Sequence, residues 1–161
     1  MGKKTVYAIA FGSNRRSRHG SPAATLREAV KALEGIGKVQ RMSAIRATPA
    51  LGPAGRSFAN AVAILATTLL PDELLVALKQ IEREFGRRPG RRWGPRVLDL
   101  DIILWSDGSW AGGGLIIPHP EARTRRFVLE PLTEVAPDWR DPMTGRTVRQ
   151  LLARLRRPVA A

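Results

Sequence analysis

Val97-Leu98-Asp99-Leu100-Asp101-Ile102-Ile103-Leu104 alternates apolar and acidic residues at its start, the pattern of a strand with one face in a core. Successive strand side chains point to opposite faces, so Leu98, Leu100, Ile102 and Leu104 are expected inward while Asp99 and Asp101 share the other side. The apolar set pins the register, and the two carboxylates then stand roughly 7 Å apart along the strand. Working outward, a strand is predicted over 97–105, preceded by a loop in which Arg87, Arg88, Arg91, Arg92 and Arg96 mix with Pro89, Gly90, Trp93, Gly94 and Pro95. Before that loop, Pro71-Asp72-Glu73 opens a helix to about Phe85, with proline where its missing donor is harmless and acids where the helix dipole favours them. Its apolar stripe is Leu74, Leu75, Leu78, Ile81 and Phe85, leaving Lys79 and Glu82 adjacent on another face.

Further upstream, residues 39–48 and 58–67 read as strands that pair antiparallel, joined by a Pro- and Gly-rich loop. Ser21-Pro22 starts a helix through Leu33, and residues 5–11 form a strand stopped by Gly12-Ser13-Asn14. Downstream of the acidic strand come a turn at Gly112-Gly113-Gly114, a short apolar segment ending in Pro118-His119-Pro120, a short helix from about Thr124 and a last helix over 148–155. The order strand, helix, strand, strand, helix, strand predicts an α+β fold: a ferredoxin-like βαββαβ sandwich, mainly antiparallel, with helices on one face and C-terminal additions. No repeat or linker divides the 161 residues, so residues 1–161 are read as a single domain.

The chain has no cysteine, which removes disulfides, thiolate metal sites and a thiol nucleophile; a metal would have to rest on carboxylates or histidine. Neither a signal segment nor a transmembrane-length apolar run is visible, and a cytoplasmic protein without a membrane partner is expected. The formal charge of +13 favours anionic partners: nucleic acid, an anionic surface or a small phosphorylated substrate. The arginine-rich loop ends two residues before Asp99, which places permanent cations beside paired carboxylates. Magnesium favours hard oxygen ligands, retained water and substrate phosphates, and arginine forks suit phosphate oxygens. Together they point to magnesium-assisted phosphate chemistry. His119, held between two prolines, is a candidate phosphate donor, while Phe58 with Asn60, and Phe127, suit a flat heterocycle.

At Arg92-Trp93-Gly94-Pro95-Arg96-Val97-Leu98-Asp99-Leu100-Asp101-Ile102 the chain resembles the 6-hydroxymethyl-7,8-dihydropterin pyrophosphokinases in sequence and spacing. The supporting pieces occur in the family's order: Phe11-Gly12-Ser13-Asn14, Thr48-Pro49-Ala50-Leu51-Gly52-Pro53, Phe58-Ala59-Asn60, Ile81-Glu82 with Gly86-Arg87, and Pro118-His119 through Arg125 to Phe127. The resemblance implies transfer of pyrophosphate from ATP to 6-hydroxymethyl-7,8-dihydropterin in folate biosynthesis, with two Mg2+ ions at Asp99 and Asp101. It further implies that Arg87, Arg96 and Asp101 serve catalysis and that Lys79, Glu82, Arg88, Trp93, Ile102, His119 and Arg125 bind ATP. Thr48, Pro49, Leu51, Phe58, Asn60 and Phe127 would hold the pterin, the two phenyl rings stacking on its faces. A monomer is expected.

Three positions depart from the family pattern. Lys79 stands where a glutamine is common, Gly114 and Ile116 replace a basic and a hydroxyl residue of some relatives, and the loop after Asn14 is longer and more basic. A nucleic-acid-binding α+β domain would explain the charge but calls for aromatic base-stacking patterns on the central strands, which are absent. A metal-dependent nuclease would explain Asp99 and Asp101, but not Phe58 with Asn60 or the ordered set of motifs.

Overall fold

The computed structural model describes residues 2–48, 58–86 and 97–156. Strand β1 (Thr5–Ser13) leads into helix α1 (Pro22–Leu33), which begins where Ser21 Oγ accepts a hydrogen bond from Ala24 N at 3.2 Å and Pro22 occupies the first turn. Strands β2 (Lys38–Met42), β3 (Arg46–Thr48) and β4 (Phe58–Thr67) follow, then helix α2 (Pro71–Gly86). At the start of α2, Glu73 Oε1 reaches back to accept from Leu70 N at 2.8 Å, satisfying one of the donors a helix end leaves open. The chain continues through β5 (Asp99–Trp105), the hairpin β6 (Trp110–Gly112) and β7 (Leu115–Ile117), a 3-10 turn (Ala122–Thr124), α3 (Arg126–Val135) and α4 (Val148–Arg156).

The main sheet runs β2-β4-β1-β5, every pair antiparallel, with β3 also pairing β4. The residues predicted as one strand over 39–48 form two. Ser43 interrupts them: its N donates to Val62 O and its hydroxyl accepts from Val62 N, both at 2.9 Å, so the side chain stands in for a ladder carbonyl while the strand bends.

Both faces of the sheet are covered, where helices were expected on one. Tyr7, Ile9 and Phe11 of β1 and the small Ala59, Ala61 and Ala63 of β4 pack under α1 and α2 through Leu26, Leu33, Leu74 and Leu78. Ala8, Ala10, Val62 and Ile64 pack instead under α3 and α4 through Leu129, Leu132, Val148 and Leu152. The C-terminal additions are thus a third layer, and the central strands are apolar on both sides because each side meets a helix pair. A bulge modifies β5: Ile9 faces Ile102 while Ala8 faces Leu104, so Ile103 is the extra residue. Leu98, Leu100 and Ile102 join the first core as expected, but Leu104 turns to the second.

Candidate active site

A cleft of about 450 Å³ opens on the second face, where α3 begins and the helical cover stops short of the end of β1. Strand register builds its floor. Asn60, Gly12 and Asp99 stand side by side across β4, β1 and β5, and Val62, Ala10 and Asp101 form the next row. In these two rows the central strand contributes only the small Ala10 and Gly12, so the space above them stays open between the amide on one side and the carboxylates on the other. Phe58 and Phe127 also line the cleft, 47% and 51% exposed. Two large apolar rings left half in water around one cavity are an unused stacking surface, since burial is the favoured state of phenyl side chains. Arg125 also lines the cleft, its guanidinium carbon 5.7 Å from the centre of the Phe127 ring.

Asp99 is exposed and Asp101 half-buried, both at the cleft as the alternation predicts. Among the described residues no three His, Cys, Asp or Glu side chains gather into a protein-only metal cage. Two oxygen-donor carboxylates opening on one cleft nevertheless fit magnesium, which completes its shell with water and phosphate oxygens rather than with protein alone.

His119 sits at the start of a short arm running to Arg125. Its N donates to Ile103 O at 3.0 Å, docking the arm on β5, and its Nδ1 accepts from Glu121 N at 3.2 Å. A neutral ring that accepts at Nδ1 carries its proton on Nε2, leaving that nitrogen as a donor. Burial holds the imidazole pKa below its ordinary value; nearby Asp101 pulls it up and Arg125 pushes it down. Arg125 is ion-paired with Glu121.

His119 does not line the cleft itself but a small cavity behind the arm, and further expected nucleotide residues also lie apart from the cleft. Lys79 Nζ pairs with Glu82 Oε1 at 3.3 Å, and Glu82 Oε2 accepts from Leu100 N at 2.7 Å. Glu82 therefore occupies a backbone donor on the outer edge of β5, where among the described residues no further strand pairs. Ile102 turns its side chain into the first core, 3% exposed and on the opposite face from Asp101, so the side chain does not reach this cleft. Its backbone is the only part left for such a contact. Thr48 ends β3 opposite Phe58. Pro49, Leu51, Arg87, Arg88, Trp93 and Arg96 lie outside the described residues. Ser13 and Asn14 line the cleft without having been assigned a role from sequence; their signal was the Phe11-Gly12-Ser13-Asn14 motif at the end of the first strand.

Residues 8–137 match the family model for 7,8-dihydro-6-hydroxymethylpterin-pyrophosphokinase (HPPK). The chain belongs to this family. Relatives named 2-amino-4-hydroxy-6-hydroxymethyldihydropteridine pyrophosphokinase include one from Methylorubrum extorquens, 41% identical over 151 residues that cover 91% of each chain. One from Pseudomonas aeruginosa is 40% identical over 148 residues, covering 90% of this chain and 88% of its own. Another from Synechocystis is 44% identical over 115 residues, covering 71% of this chain but 59% of its own length. Among solved structures, a Plasmodium falciparum HPPK-DHPS protein superposes with a TM-score of 0.76 at 14% identity, a likeness of fold. That match covers 96% of this chain and 46% of the Plasmodium one, so the present chain spans about half of its length. Members of the HPPK family are pyrophosphokinases acting on hydroxymethyldihydropterin, and the cleft bounded by Phe58, Phe127, Asn60, Asp99 and Asp101 falls within or beside the matched residues.

Proposed function

We propose that this chain transfers the terminal two phosphates of ATP to the hydroxymethyl group of 6-hydroxymethyl-7,8-dihydropterin, a step of folate biosynthesis. One observation carries the reading: a cleft lined by two half-exposed phenyl rings, with an amide on β4, shares its floor with two carboxylates on the far side of β1. A flat, polar-edged ring and an anionic metal-bridged chain are the two ligands such halves suit.

Phe58 and Phe127 would sandwich the pterin while Asn60 reads its polar edge, aided by the segment at Thr48, Pro49 and Leu51. Asp99 and Asp101 would hold two magnesium ions, which neutralise phosphate charge when bound. The pterin hydroxyl oxygen attacks the β-phosphorus in line, the bond from that phosphorus to the α-phosphate oxygen breaks, and AMP departs. The hydroxyl proton would pass to a nearby base, a role proposed here for Asp101. His119, with its proton on Nε2, and Arg125 would receive phosphate oxygens, joined by Lys79, Glu82, Arg88 and Trp93 around the nucleotide and by Arg87 and Arg96 on the transferred group. Holding the reactants in line and offsetting charge supplies most of the rate in this type of reaction. The strand order and all-antiparallel pairing support a ferredoxin-like sandwich as the scaffold, here as one cytoplasmic, monomeric domain over residues 1–161. Among the described residues no helix is long and apolar enough to cross a membrane.

The test is AMP formation from ATP and magnesium with and without the pterin, using Asp99→Ala as control. Pterin-dependent AMP lost in the variant supports the reading. A folded, magnesium-supplied protein that makes no AMP, or an active Asp99→Ala, overturns it.

A further inference from the structure

Asp141, between α3 and α4, is 1% exposed, and the cleft has no use for it. Its carboxylate receives four donors: Arg123 Nε at 2.6 Å, Arg123 Nη2 at 3.2 Å, Met143 N at 3.0 Å and the Thr144 hydroxyl at 2.9 Å. A buried carboxylate is costly unless so compensated, and a two-pronged arginine fork is the most directional partner available. Its own loop is closed by backbone bonds as well, Asp141 N to Arg146 O and Gly145 N to Asp141 O at 2.8 Å each, and Val148 N to Trp139 O at 2.9 Å. The reach to Arg123, 18 residues earlier, is the side-chain ion pair that ties this loop to the segment before α3.

Arg123 lies in the 3-10 turn between His119 and Arg125. Besides the Arg123 fork, the arm is held at His119 by the His119 N to Ile103 O bond, in the middle by buried Ala122, and at its end by the Val128 N and Leu129 N bonds to Arg125 O that open α3. A small cavity, about 20 Å³, lies beneath it, bordered by Pro118, His119, Arg123, Asp141 and Leu132 among others. Apolar packing there is incomplete, and the directional ion pair supplies what packing does not. We propose that the Arg123–Asp141 pair is a positioning latch: it sets the placement of His119 and Arg125 and thereby tunes ATP affinity without either member touching the nucleotide. This rests on the reading that His119 and Arg125 face ATP.

The experiment compares Asp141→Asn, Arg123→Lys and Arg123→Gln with wild type and with His119→Ala, measuring steady-state constants for both substrates well below each variant's melting temperature. Asp141→Asn keeps the shape, its one oxygen still accepting from Met143 N while its amide can donate to the Thr144 hydroxyl, but it loses the charge that holds the fork and turns a donor toward Arg123. Because small displacements of binding groups are expensive in rate and affinity, Asp141→Asn and Arg123→Gln are expected to raise the KM for ATP about 5- to 20-fold, with the pterin KM and kcat within about twofold of wild type. Arg123→Lys, which keeps the charge but loses the fork, is expected to recover part of that loss. Melting temperatures that fall while the ATP KM stays within about twofold of wild type, in a set where His119→Ala raises it, overturn the latch and leave the pair a structural stay. An unchanged ATP KM in His119→Ala instead overturns the assignment of the arm to the nucleotide, and the latch with it. If Asp141→Asn does not fold, Arg123→Gln decides, since that side chain is partly exposed and its removal leaves Met143 N and Thr144 on the carboxylate.

Discussion

Truncating Phe58 separates a ligand surface from a core residue. A phenyl side chain offers about 150–250 Å², and with Phe58 47% exposed, on the order of 100 Å² remains for a bound ring to cover. At about 25 cal/mol per Å² that surface is worth ~2.5 kcal/mol, near 70-fold in affinity, and the retained Cβ lowers the expected effect of Phe58→Ala to about 10- to 70-fold. The covered half of the ring contributes to stability as well, but at a strand end beside an open cleft, so the folding cost should be about 1–2 kcal/mol, against ~3–5 for a fully buried phenylalanine. The melting temperature should then fall by only about 2–8 °C. Calorimetric titration of 6-hydroxymethyl-7,8-dihydropterin, with magnesium and α,β-methylene-ATP to block transfer, reads the affinity directly, and titration of the nucleotide alone is the control. Phe127→Ala should weaken the pterin similarly, because that ring is 51% exposed. A folded Phe58→Ala protein whose pterin affinity changes less than about threefold would mean that the exposed ring is not a stacking surface, and the two-ring slot would have to be abandoned.

Asp101→Asn should cut pterin-dependent AMP formation by at least about 10³-fold while the protein melts as wild type does, since the side chain lies on the cleft floor rather than in the core; more than about a tenth of wild-type turnover would contradict its role. Gly37→Ala should cost about 2–3 kcal/mol, because a Cβ there would lie 2.5 Å from Ala66 O and 3.0 Å from both Leu65 Cδ1 and Thr67 Cβ. Ala66 pairs with Val6, far along the sheet from the Asn60–Gly12 row, so the expected drop in melting temperature should come with unchanged kinetics in the folded protein. Burial pushes the Asp141 carboxyl up, but the Arg123 bonds and then Met143 N and Thr144 outweigh it and hold its pKa below the usual carboxylate range. The unfolded chain thus binds that proton first as acid is added: the stabilisation is complete above about pH 4 and is lost as pH falls through the folded-state pKa. Wild type should consequently lose stability more steeply than Asp141→Asn as pH falls below the ordinary carboxylate range, measured by denaturant titration; parallel curves would show that the carboxylate is not held ionised.

Much of the sheet was legible because period-two patterning records which face a side chain occupies, and the failures trace to particular atoms. Ile103 carries no glycine or proline to announce a bulge; its displacement arises from the match of β5 to β1 between Ala8 and Ile9, and only pairing reveals that Leu104 changes face. Ser43 is likewise an ordinary strand residue until its hydroxyl takes over a bond to Val62. The second helical layer did have a signal. Ala8, Ala10, Val62 and Ile64 are apolar on the face opposite Tyr7, Ile9, Phe11 and Leu65, and a strand apolar on both sides requires cover on both.

The same logic sorts the site. Asp99 and Asp101 could be placed on one face from their own strand, because two residues are the repeat of the pleat. Phe58, Asn60, Phe127 and Arg125 come from β4 and the start of α3, and no local pattern says that these segments meet; the resemblance supplied their association, and the cleft brings them together. Ile102 marks where the two kinds of inference collide. Alternation assigned its side chain to the core beside Leu100, where it is 3% exposed, while resemblance placed the residue among the ATP contacts without saying through which atoms. A family contact made through backbone atoms carries over without regard to which way a side chain points, whereas one made through a side chain must obey the pleat. Asp101 passes that test from the cleft face, and Ile102, one residue on, can contribute only its peptide.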